Sequence, residues 1–547
     1  MRRALTLGMA VVLFALTVSA QESQLGRVEF PTSGSEKAQQ HFLRGLAALH
    51  SFWYEEAIEA FRESTKVDPD FAMGYWGEAM AYNHPLWSEQ DIATARQVLA
   101  KIKETPKLTE RERAYVAAVR VLYGEGDKHA RDVAYSAAME KIYRAYPDDL
   151  DAAAFYALSL LGIGGEKGYR LQAKAGAIAL DVYQKNPNHP GAAHYIIHAF
   201  DDPDHAILAL PAARRYASIA PEAHHARHMP SHIFLQLGMW PEAAASNEAA
   251  WEASDAWMKR KSLSLNVRDY HSLHWLLYVY LQQGRYNDAE KLLTMMKKVM
   301  SESTYDNKLR PGYYENNYAN MAAAFVVETE RWNLATGFFP DYRPVKFPTE
   351  QTTMTGAHGQ HGTAPTLRTS WANRTLPLLI RGLAGVMTGN EDDAVDGLDE
   401  LGALQSKAEA GKTAMAIGSY EISALAASMK KDHDKAIEFM KKATALEEDM
   451  RPPSGPPSLI KPTHELFGEI LLRAGKPAEA AEMFKVSLQR QPNRARSLLG
   501  AARAAAQTGN QSGALTAYAA LVDQWKQADT GLSELREARD YLKQAKR

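Results

Sequence analysis

Apolar residues recur along most of the chain at intervals of three and four, the spacing of helices that bury one face. Read with its proline and glycine punctuation, the pattern predicts paired helices. The first members fall near 36 to 50, 70 to 83, 148 to 161, 190 to 201, 222 to 237, 268 to 283, 312 to 330, 411 to 430 and 459 to 474. The second members lie between them, for example over 54 to 66, 168 to 185, 204 to 219, 241 to 257 and 286 to 299. Within residues 38 to 71 one pair carries Gly45, Ala57, Phe61, Ser64 and Pro69. The same offsets return at Gly468, Ala480, Phe484, Ser487 and Pro492, and Ala514 and Tyr518 begin a further unit. Each position has a mechanical cause. Small residues let the two helices of a hairpin approach, an aromatic fills the gap between pairs, and proline ends the second helix.

A 34-residue period with these positions is that of the tetratricopeptide repeat. The expected fold is therefore all-α, a tetratricopeptide-repeat-like right-handed helical solenoid. Two stretches break the pattern: residues 339 to 370, rich in proline, glycine and threonine, and residues 451 to 457 (RPPSGPP). The chain divides accordingly into a signal peptide (1 to 20), an N-terminal extension (21 to 34) and an N-terminal repeat domain (35 to 338). A loop or lid (339 to 370), further helical repeats (371 to 450), a proline-rich break (451 to 457) and C-terminal repeats (458 to 547) follow. Because repeats lean on neighbours, removal of 458 to 547 is expected to leave the N-terminal array folded.

The signal assignment rests on order: Arg2 and Arg3, an apolar run from Ala4 to Leu16, then Val18-Ser19-Ala20. It predicts a periplasmic or secreted protein. The 547 residues include no cysteine, which excludes disulfides and thiolate metal ligands, and no later apolar run reaches the length of a membrane span. With 63 basic and 65 acidic residues the chain has no electrostatic footprint for nucleic acid.

Histidine placement changes the picture. Ten of the 18 histidines (189, 194, 198, 205, 224, 225, 228, 232, 271 and 274) lie within 86 residues. His194 and His198, His228 and His232, and His271 and His274 are spaced to share a helix face, and all three pairs fall on consecutive first helices, which line the concave side of such a solenoid. Pairs on adjacent helices can converge on one ion. The reading is that His194, His198, His228 and His232 bind a single transition metal (Zn, Cu or Fe), with His271 or His225 as an additional member. Asp201, Asp202, Asp204 and Asp269 are placed to ligate or orient imidazoles, and Pro230 to kink the helix between His228 and His232. His224 points about 100° from His225, so at most one of the two belongs, His225 being favoured because it is three residues before His228. His84, before Pro85 and Trp87, either approaches the groove or caps its helix. His358 and His361 lie in the 339 to 370 loop, as lid residues or as part of a solvated linker. His41, His50, His129, His433 and His464 are assigned to packing or surface.

The alternative is that these histidines are core residues of a metal-free scaffold taking a peptide or partner protein in its groove. No HExxH, GxSxG, P-loop or strand-borne GxGxxG is present, so no catalytic residue or organic cofactor is named, and enzyme activity is left open.

The segments FWYEEAIEAF (52 to 61), AMGYWGEAMAYNHPLW (72 to 87), HPGAAHYIIHAFDDPDHA (189 to 206), APEAHHARHMPSHIF (220 to 234) and RDYHSLHW (268 to 275) resemble a group of exported bacterial tetratricopeptide-repeat proteins. The resemblance spans roughly residues 35 to 300. It implies the repeat fold and export, and assigns no reaction.

Overall fold

The computed structural model describes residues 24–163, 169–301, 313–340, 366–407 and 411–545. The signal-like residues 1 to 20 and most of the 339 to 370 stretch, including His358 and His361, lie outside them. Residues 366 to 370 already belong to the helix Thr366–Thr388. Among the described residues the chain runs as α-helices from Glu36–His50 to Ser533–Gln544, and its only sheet pairs Asn83–His84 with Glu89–Gln90. The fold is an all-α helical repeat.

The paired pattern holds closely in Glu36–His50 with Tyr54–Val67, Pro190–Ala199 with Ala206–Ile219, and Tyr270–Gln282 with Tyr286–Met300. Between residues 84 and 148 the chain adds Ile92–Leu99, Glu110–Leu122 and Lys128–Ala145. The interlock between pairs is the same at both ends of the chain. Phe61 is wedged between Gly45 and Gly77, on successive first helices, and Phe484 between Gly468 and Gly500; a Cβ at any of the four would lie under 3.0 Å from the ring. The aromatic fills the gap because glycine leaves one.

The C-terminal repeats dock back on the middle of the array. Gly238 and Gly284 end their helices at φ +64° and +68°, the left-handed turn that favours glycine, and lie against Asn493 and Ala528 respectively. Arg494 is fully buried there. Its guanidinium meets Glu465 at 2.7 Å and Glu328 at 2.6 Å, and donates to the Tyr278 hydroxyl at 3.0 Å. Gln282 accepts from the backbone N–H of Ala495 at 2.9 Å. The C-terminal repeats thus share buried polar contacts with the helices around Tyr278, Gln282 and Glu328.

Candidate metal centre

Three first helices carry the histidine pairs. His189 caps the helix Pro190–Ala199, its ring accepting from the Ala192 N–H, and His194 and His198 follow one turn apart. The next first helix is divided into His224–His228 and Pro230–Gln236, because Pro230 supplies no N–H. The third, Tyr270–Gln282, is capped by Asp269.

The imidazoles that come within 4.8 Å of one another form two sets of three: His194, His198 and His225, and His228, His232 and His271. The expected group of four is thus divided. Each pair takes its third imidazole from the next first helix along the array. In the first set His198 Nε2 and His225 Nε2 lie 3.0 and 3.2 Å from His194 Nε2; in the second, His228 Nε2 and His232 Nε2 are 3.1 Å apart. Two nitrogens bound to one metal at about 2.0–2.1 Å would be roughly 2.9–3.4 Å apart. His224 turns away to Asp269, 3.1 Å from its Nδ1.

The opposite ring nitrogens show which lone pairs face inward. His194 Nδ1 is 2.7 Å from the carbonyl oxygen of His50, which can only accept, so Nδ1 carries the hydrogen and Nε2 is bare. His228 Nδ1 donates to Asn247 Oδ1 at 2.7 Å, and the Asn247 amide is oriented by its own donation to the Ala243 carbonyl at 2.9 Å. His232 Nδ1 is 2.6 Å from Asp201 Oδ2, and Gln236 Nε2 donates to Asp201 Oδ1 at 3.2 Å. A ring held at one nitrogen by a carbonyl, amide or carboxylate is how proteins orient histidine ligands.

Burial removes the competing proton from most of these rings. It lowers His194, His198, His225 and His271 well below the ordinary imidazole range, helped by neighbouring imidazoles. His228 falls to about 4 and His232 to about 3, burial being the main cause for both. The same burial pushes Asp201 up to about 8. Below that value one proton can sit on the chain Asp201, His232, His228 and pair each nitrogen with its neighbour. A metal ion at the Nε2 atoms would take the place of that proton and leave Asp201 ionised.

Each set has one aromatic ring close to all three of its imidazoles. Phe52 lies 4.3, 5.9 and 5.7 Å (ring centroids) from His194, His198 and His225. It follows the helix Glu36–His50 at φ 53°, a conformation costly for a bulky residue, and this aims the ring at the histidines. Trp275 plays the same part for the second set, 5.0, 4.1 and 5.5 Å from His228, His232 and His271.

Behind the first set lies a fully buried cluster of His50, Asp151 and His189. His50 Nε2 is 2.8 Å from Asp151 Oδ1 and its Nδ1 is 2.9 Å from the Tyr195 hydroxyl. Burial opposes the Asp151 charge, yet hydrogen bonds from His189 and His50 hold its carboxyl well below the usual range. The cluster fixes the residue whose carbonyl orients His194. Sequence reasoning assigned His50 to packing or surface, and gave no role to Phe52 or Asn247. Only Asn247, a polar residue on the inner side of the helix Trp240–Arg260, carried a signal in the pattern. Asp202 caps the turn at His205, Arg227 donates to the Pro221 carbonyl, and His84 stacks on Tyr54 at 3.9 Å.

A cavity of about 650 Å³ opens beside the histidines. His198 and His225 of one set and His232 and His271 of the other line it, together with His274. Its roof is the proline-rich break, held where Gln236 Nε2 donates to the Pro453 carbonyl at 2.8 Å and where Gly455 lies flat on Trp275.

The family model for the tetratricopeptide repeat matches residues 39–71, the first of the predicted 34-residue units. The fold is of the tetratricopeptide-repeat type. Three solved structures are similar at low identity. A tetratricopeptide repeat protein from Parabacteroides merdae is 14% identical, covering 59% of this chain and 99% of its own, at a TM-score of 0.31. Yeast Tom70 is 11% identical over 94% and 89%, at 0.23. A human IFIT1 dimer with PPP-AAAA is 12% identical over 89% and 90%, at 0.35. No curated protein sequence matches the chain.

Proposed function

We propose that this tetratricopeptide-repeat scaffold is an exported metalloprotein that binds transition-metal ions through His194, His198, His225, His228, His232 and His271. The observation that carries the reading is the convergence of the imidazole Nε2 atoms at 3.0 to 3.2 Å, with the Nδ1 atoms of His194 and His228 committed to acceptors behind them. Bare lone pairs that face each other repel until a proton or a metal cation lies between them. Three imidazoles per ion leave a coordination position free for a small molecule from the adjoining cavity. Imidazole suits Zn, Cu and Fe, and rank of affinity favours Cu. The order of residues 2 to 20 supports export.

A second reading is a metal-free scaffold for a peptide or protein partner, which the repeat type favours. Against it, the inner surface beside the histidines is roofed by the chain's own residues 451 to 456. No helix among the described residues is long and apolar enough to cross a membrane. Elemental analysis of the purified chain decides between the two. Bound metal that falls in His194→Ala and in His228→Ala is expected; a wild type that takes up no metal leaves the scaffold reading.

A further inference from the structure

The two histidine sets are neighbours. His198 and His232 have ring centroids 5.8 Å apart, and His225 and His228 6.0 Å. Four of the six imidazoles line one cavity, so a free position on either ion would open to the same space. Among the described residues neither set contains a carboxylate. Asp201 meets the far nitrogen of His232 and not the converging one.

We propose that the two sets together form one dicopper centre that binds dioxygen between its ions, a deepening that rests on the metal-binding reading above. Three donor properties point to copper. Six neutral imidazoles without hard oxygen donors disfavour Mg, Ca and Mn, and leave out the carboxylate of the usual non-haem iron triad. Among the divalent ions that suit imidazole, copper binds most tightly. Three-coordinate imidazole sites also accept copper in both oxidation states, so electron transfer needs no change of ligands.

Charge points to the bridge. Two Cu(II) ions held by neutral rings carry four positive charges, against which stand the carboxyls of Asp201, on His232, and Asp269, close to His228 and His271, so a small anion between the ions is needed to complete the balance. Dioxygen supplies one. Each Cu(I) gives up one electron, the oxygen molecule takes both, and the product is two Cu(II) ions with a peroxide dianion, no proton being required. The rings of Phe52 and Trp275, one close to each set, place apolar surface beside the imidazoles.

The test uses the full chain, stripped by chelator, loaded with Cu(II) and desalted. Two coppers per chain are expected, one for each set, with an integrated electron paramagnetic resonance signal far below that of two isolated ions, because a bridge couples their spins. After anaerobic reduction, titration should consume one dioxygen for each copper pair. His225→Gln and His271→Gln, each breaking one set, should bind half the copper and turn the weak signal into a full one. Two coppers with the full signal of isolated ions, or a single copper, overturn the dicopper proposal while leaving metal binding standing. Wild type that takes up no copper or other metal overturns both.

Discussion

The two three-histidine sets are built alike and supported differently. Each joins an i,i+4 pair to one imidazole of the next first helix, and each has one aromatic ring close to all three imidazoles. Behind the first set stands a neutral group, the backbone carbonyl of His50, itself fixed by the buried Asp151 and His189. Behind the second stand an amide, Asn247, and a titratable carboxyl, Asp201. A carboxylate raises the basicity of the ring it holds more than a carbonyl does. The second set should therefore bind metal more tightly and exchange a proton when it does, whereas the first should bind at an affinity less dependent on pH.

The largest effect separating the sets is removal of a ligand. His228→Ala should abolish tight binding at the second set and leave the first loaded, halving the metal content measured by mass spectrometry; His194→Ala should do the reverse. If either variant empties both sets, they are not separable. Asp201→Asn should lower affinity of the second set by about 10–100-fold and leave the first within a few fold, read by competition with a chromogenic chelator. The same variant should abolish proton release on metal binding, measured by calorimetry in buffers of different ionisation enthalpy between pH 6 and about 8.

Acid gives a smaller distinction. Histidines whose folded values lie below the ordinary 6.5 bind fewer protons folded than unfolded, so their contribution to stability is present above pH 6.5 and is lost as pH falls towards about 4 for His228 and about 3 for His232. The metal-free chain should unfold at progressively lower denaturant concentration across that window. Loaded protein should keep its metal well below pH 6.5, the point at which unperturbed imidazoles would release it. Smallest of all, Asn247→Ala frees the His228 ring without removing a charge. A loss of about 10-fold or less in affinity at the second set is expected, with the buried Nδ1 costing about 1–3 kcal/mol of stability in urea titrations.

Repeat positions were legible because their cause is local. Gly45 with Phe61 and Gly468 with Phe484 sit at fixed offsets, and the geometry of a helical hairpin turns those offsets into contacts. The histidine pairs were legible for the same reason, since four residues make one helical turn. Their grouping was not. Whether His225 joins His194 or His228 depends on the crossing of adjacent helices and on the break at Pro230, neither of which spacing encodes.

By itself, then, the sequence determined the helices, their pairing and the face on which the histidines lie, all of which follow from side-chain periodicity. Tertiary structure alone decided that the six imidazoles form two sets, that the carbonyl of His50, more than a hundred residues away in sequence, commits the tautomer of His194, and that the proline-rich break roofs the cavity. Those contacts join segments distant along the chain, and their geometry is set by how whole helices pack, which no local pattern records.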